Sequence, residues 1–178
     1  MLIELKRLSA KNLEAALAKA SVYRDLNQPE EAESICRDVL GVEPKNQTAL
    51  RILGLALTDQ LVAPWGRTHH PHEQGGQGLL EEAVAIFEKL EAEYDRAYYV
   101  GVAWERAGKG HLERGEAHNA VTSLEHAMAL FERAERVGPT DSPDPILRYN
   151  RCVRLLTTHP LLMAAASDPR DSAVFSSE

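Results

Sequence analysis

Three of the seven histidines, His69, His70 and His72, fall in the stretch PWGRTHHPHEQGGQG, Pro64 to Gly78. His70 and His72 flank Pro71, which favours extended backbone and lets both imidazoles point the same way. Two neutral imidazoles can hold a zinc or copper ion weakly. A closed zinc site needs four ligands, usually with cysteine or a further histidine among them, and no cysteine is near. Glu73 adjoins His72, but adjacent residues seldom chelate one ion together. His111 and His118 are seven residues apart. On a helix that is about 10.5 Å at ~1.5 Å per residue, too far for one ion. The expectation is therefore no metal and no cofactor. A metal-binding protein built on the His69/His70/His72 loop is the alternative from another class.

Nucleophilic and phosphate-handling arrangements are absent. The chain has no Gly-x-Ser-x-Gly, no phosphate loop and no HExxH. The paired acids Glu30/Glu31 and Glu81/Glu82 read as helix openings, where negative charge favours the helix dipole. No residue is singled out as catalytic, and the chain is not expected to be an enzyme. Cys36 and Cys152 are far apart, each inside an apolar helical pattern, which suits two buried thiols in a reducing compartment.

The bulk charge narrows the partners. Twenty Lys and Arg stand against 27 Asp and Glu, a net charge of −7. Phosphate backbones want a basic face, so nucleic acid is not the expected partner, and neither is an anionic membrane surface. The opening MLIELKRLSAKN has no apolar core of signal-peptide length, and no run approaches a membrane span. The cytoplasm is the expected location. Nothing in the residues points to a homo-oligomer or forbids one.

Periodicity of 3.6 runs through most of the chain. Leu13, Ala16, Leu17, Ala20 and Tyr23 form one helical face. Asn27 is a candidate cap, Pro29 suits a first turn, and Ala32, Ile35, Cys36, Val39 and Leu40 form the next face. Gly41 and Pro44 end it. Ala20 and Gly54 are small residues 34 positions apart. A period of 34 built from two helices is the mark of stacked helical pairs.

Those residues carry a resemblance to the tetratricopeptide repeat (TPR) family. Repeat one supplies Ala16, Ala20, Tyr23, Ala32, Cys36, Val39 and Pro44. Repeat two supplies Leu50, Leu53, Gly54, Leu57, Ala83, Phe87 and Leu90. Repeat three supplies Trp104, Ala107, Gly108, His111, Ala120, Leu124 and Ala127. The last helix also fits seven residues later, as Ala127, Phe131, Ala134 and Pro139, so it is expected to be long. The resemblance implies an all-α fold: a right-handed stack of about three antiparallel helix pairs with a C-terminal capping helix. Residues 1–156 form one helical domain, with repeats near 13–46, 47–96 and 97–139 and the cap at 144–156. Residues 157–178 are expected to be a tail.

The departure from the family pattern lies in repeat two. Leu57 to Ala83 spans 26 residues, where Tyr23 to Ala32 spans 9. The difference is an inserted loop, 60–78, expected on the rim between the two helices of the pair. Trp65 within it is a candidate partner contact.

The resemblance also implies a function. TPR stacks are binding modules whose groove is lined by the first helix of each pair. By position, that gives Glu14, Leu17, Ser21 and Arg24 in repeat one. Thr48, Arg51, Leu55 and Thr58 follow in repeat two, and Val102, Glu105, Arg106 and Lys109 in repeat three. The set mixes apolar residues with both signs of charge and would suit a peptide or protein segment. The family's basic clamp for chaperone C-termini is not expected. Leu17, Ser21 and Val102 stand where it needs lysines and asparagine, and only Arg106 matches. The expected role is a non-catalytic scaffold or adaptor. A small TPR-type secretion chaperone is the second reading.

Overall fold

The computed structural model describes residues 4–62 and 75–167. Among them are eight α-helices and no strand. After a short 3-10 turn at Ala10–Asn12 come α1 (Leu13–Asp25) and α2 (Pro29–Val42), then α3 (Gln47–Gln60) and α4 (Gly75–Phe87). The third pair is α5 (Glu93–Glu113) and α6 (Ala117–Val137), followed by α7 (Asp144–Thr158) and α8 (Pro160–Ala166). Each helix packs on the next, and α1, α3, α5 and α7 also touch along one side. These four form the inner A-helix face, and the even-numbered helices stand behind them.

Local chemistry sets the helix ends. Asn27 is not a cap. It ends α1 with φ at 58°, in the left-handed region that asparagine tolerates best after glycine. Its N–H donates to the Arg24 carbonyl, and the next N–H, of Gln28, donates to Tyr23. Gly115, at φ 76°, ends α5 by the same pair of bonds, Gly115 to Leu112 and Glu116 to His111. Pro29 then opens α2, where its missing N–H costs nothing. Asn46 caps α3, its side-chain oxygen accepting from the Ala49 N–H at 2.9 Å.

Small residues let the paired helices close. Ala20, Ala32, Ala83 and Ala120 are fully buried. A Cβ on Gly54 would run into the ring of Phe87, itself fully buried. Gly101 meets Phe131 in the same way, at 2.8 Å from Cε1, and Gly108 meets Leu124 at 3.0 Å from Cγ. Gly101 and Gly108 of α5 are seven apart, as are their partners Phe131 and Leu124 on α6. The longest two helices therefore mesh along a repeating seam. Trp104 bridges the two main apolar clusters. Behind the A helices, the buried Glu33 accepts from Gln60 and Arg37, each at 2.7 Å, and Arg37 also reaches Glu82. One carboxylate thus ties α2 to α3, and Arg37 ties α2 to α4.

Two expectations change. Glu81 and Glu82 do not open a helix, because α4 starts at Gly75. Residues 157–167 are not a tail. They finish α7 and form α8, which packs on α6 with Leu162 fully buried. Pro160 is the first residue of α8, where its missing N–H costs nothing.

Candidate functional site

The residues carried onto the A-helix face fall into two groups. Leu17, Ser21, Arg24, Thr48, Arg51, Leu55, Arg106 and Lys109 are half-buried, and Glu14 is exposed. A depression of about 600 Å³ at the N-terminal end is lined by Leu13, Glu14, Leu17, Ser21, Asn46 and Thr48 among others. Val102, Glu105 and Thr58 do not line the groove. Val102 is 1% exposed and packs with Phe131 and Leu124. The wide seam between α5 and α6 turns that flank of α5 inward. Glu105 and Thr58 are fully buried.

Burial makes those two polar residues structural parts of a network rather than open contacts. The Thr58 hydroxyl donates to the Leu55 carbonyl at 2.8 Å and accepts from Arg106 at 3.2 Å. Glu105 is held from two sides, by Lys109 one turn on and by Arg148 of α7 at 2.9 Å. A buried carboxylate is stable only with such partners. Asp59 plays the same part between repeats. It accepts from Arg24 of α1 at 2.6 Å and pairs with Arg106 of α5. Two sets of ion pairs, one on Asp59 and one on Glu105, therefore link α1 to α3 and α5, and α5 to α7.

Burial lowers Arg106, and the like charges of Arg24 and Arg148 lower it further, to about 10. Burial first, and the Arg148 charge last, also lower Arg24. For Arg148 the net direction is upward, because Glu105 and a hydrogen bond to Tyr98 outweigh burial. Two turns nearer the N-termini of α3 and α5, Arg51 hydrogen-bonds Tyr99, whose hydroxyl is nonetheless raised by burial. Arg24, Arg106 and Arg148 stay charged at neutral pH.

Sequence reasoning missed Asp59, Tyr98, Tyr99 and Arg148. Asp59 adjoins Thr58 and carried no periodic signal of its own. Arg148 lies on a helix read only as a cap. A count of opposite charges within one residue of the 34-residue period would have flagged Arg24 and Asp59, 35 apart.

On the other side of the stack a cavity of about 570 Å³ opens between α4, α5 and α6, floored by Leu80, Val84, Trp104 and Ala107. Leu61 and Gln77, near the two ends of the inserted segment 60–78, also line it. Trp65, His69, His70 and His72 lie outside the described residues. Among the described residues no group of three or more His, Cys, Asp or Glu is placed to hold a metal ion. No described helix is long and apolar enough to cross a membrane. Cys36 and Cys152 are fully buried free thiols, and burial pushes both up to about 12. Neither is a nucleophile at neutral pH.

Known proteins bear on this geometry at one place. No curated protein and no solved structure matches the chain. Residues 13–46 match the family model of the tetratricopeptide repeat. That stretch contains α1 and α2 and the turn that leads to α3. The resemblance carried by Ala20, Tyr23, Ala32 and Cys36 is therefore matched by a family model over one full repeat, and the remaining helices continue the same all-α stack of pairs.

Proposed function

We propose that the protein is a non-catalytic interaction module, a cytoplasmic adaptor that holds a peptide or protein segment along its A-helix face. A tetratricopeptide repeat suggests a protein-interaction module in general. The observation that carries the reading further is the network from Arg24 to Arg148. It fixes the relative positions of four A helices while leaving the guanidinium groups of Arg24 and Arg148 in reach of solvent, at 26% and 35% exposure. A pre-set row of charged forks beside the half-exposed Leu17 and Leu55 offers a segment both orientation and apolar contact.

Site-specific photo-crosslinking tests the face. A crosslinker at Ser21 or Thr48 should capture the same partner, and one at Glu125, exposed on α6, should not. Arg51→Glu, at a half-exposed position outside both sets of ion pairs, should reduce capture tenfold or more with the melting temperature nearly unchanged. Charge reversal at Arg106 is a poorer probe than sequence suggests, because it would set a second carboxylate against Asp59. Capture from Glu125 but not from Ser21 or Thr48 would move the binding face to the outer helices.

A further inference from the structure

Three guanidinium groups meet on the A-helix face. Arg24 of α1 and Arg106 of α5 share the carboxylate of Asp59, and Arg148 of α7 pairs with Glu105, the residue before Arg106. Two carboxylates lie among them, and each already serves two cations: Asp59 serves Arg24 and Arg106, and Glu105 serves Lys109 and Arg148. A positive surplus remains in the middle of the face. Arg51 adds to it, with no carboxylate within 4.0 Å among the described residues. Asp25, next to Arg24 at the end of α1, offsets part of its charge, so the surplus is modest. This surplus exists in a chain of net charge −7. It also has donors to spare. Arg24 donates through Nε alone, and Arg106 through one terminal nitrogen, among the described residues.

We propose that this face recognises a phosphorylated peptide segment, with the phosphoryl group of a phosphoserine or phosphothreonine held between Arg24, Arg106 and Arg148. The inference rests on the peptide-binding reading above and narrows its ligand. A single carboxylate would have to displace Asp59, which is tethered in place and always present. A phosphoryl group carries nearly two negative charges at pH 7 and three strong acceptor oxygens. It can take the unused donors of several guanidinium forks at once and offset their mutual repulsion. Arginine is the residue suited to that geometry, and only one lysine, Lys109, takes part.

The test uses the full chain and degenerate peptides with a central phosphoserine, against the same libraries with serine or glutamate, read by fluorescence anisotropy. The phosphorylated library should bind at least tenfold tighter than either. Arg24→Gln and Arg148→Gln should each weaken it about tenfold, the loss of one charge-assisted hydrogen bond. Lys45→Gln, exposed between α2 and α3, should change nothing. Circular-dichroism melting establishes that each variant is folded. Inorganic phosphate should raise the melting temperature of the wild type, and much less that of Arg24→Gln. Stabilisation undiminished in both arginine variants would mark an adventitious ion only and overturn the site. Equal binding of all three libraries, lost with the arginines, would leave the peptide groove standing and remove the phosphate requirement. No binding by any library, with crosslinks from Ser21 intact, would defeat this inference alone. Loss of both would defeat the groove as well.

Discussion

Glu116 sits at the corner where α5 turns into α6. Arg114 first, at 3.1 Å, and then His111 donate to its carboxylate, and together they hold it down to about 2 from an ordinary 4.5. A carboxyl depressed by folding stabilises the protein above its unfolded value. That contribution is lost as pH falls through the folded value. Glu116→Gln should therefore melt below wild type by a constant margin down to about pH 5, and the margin should close as pH falls from 4.5 towards 2. Melting curves of both proteins across that range check it, and a margin that ignores pH would sink the assignment. At this scale the sequence was legible where burial alone decides. Cys36 and Cys152 were readable as buried thiols from the apolar residues around them. It was illegible where the partner is distant in the chain. Asp59 matters because folding brings Arg24 and Arg106 to it, and no local pattern announces that. Val102 and Glu105 were misplaced for a related reason, since a position in a repeat fixes an angle around the helix but not how closely the next helix covers it.

Helix pairing depends on a few glycines of unequal consequence. The Phe87 ring that a Cβ on Gly54 would strike is fully buried and stacked on Tyr99, with ring centroids 5.5 Å apart. It has nowhere to move. Gly108 faces the branch of Leu124 at 3.0 Å, which can turn by a few tenths of an ångström. Gly54→Ala should thus cost ~1–3 kcal/mol by overpacking. Gly108→Ala should be near neutral, because the better helix propensity of alanine, up to ~1 kcal/mol, offsets a milder contact. Urea unfolding of the two variants ranks them. Equal costs would show that the pairs do not close on these rings. Gly54 was visible as a packing position because it lies 34 residues from Ala20, and Gly108 because the third repeat puts it at the matching place. Gly101 was missed. Its partner Phe131 shows in the sequence as a second register of α6, but the matching second register of α5 went unread. α8 was missed because a proline after a helix signals an end more often than a new beginning.

Across the whole molecule, a net charge of −7 is a sum and says nothing of placement. Arg24, Arg51, Arg106 and Arg148 collect on one face, with Asp59 and Glu105 among them. Only the stacking order of α1, α3, α5 and α7 makes that visible. The stack also distributes its contacts unevenly. α5 and α6 are each 21 residues long, against 13 and 14 for α1 and α2, and three residues join either pair. Chains built of stacked units gain stability from neighbours and can begin ordering at any one of them. Closing either pair loses about the same loop entropy, so the pair with the longer interface gains more contacts for that cost. The α5–α6 hairpin should therefore nucleate folding and be the last part to open. Native-state amide exchange read by mass spectrometry should find the slowest amides near Ala103, Ala107, Ala120 and Ala127. Those of α1 should exchange at least tenfold faster, through openings that detach the first pair alone. Slowest exchange in α1 and α2 would instead place the origin of order at the amino-terminal end.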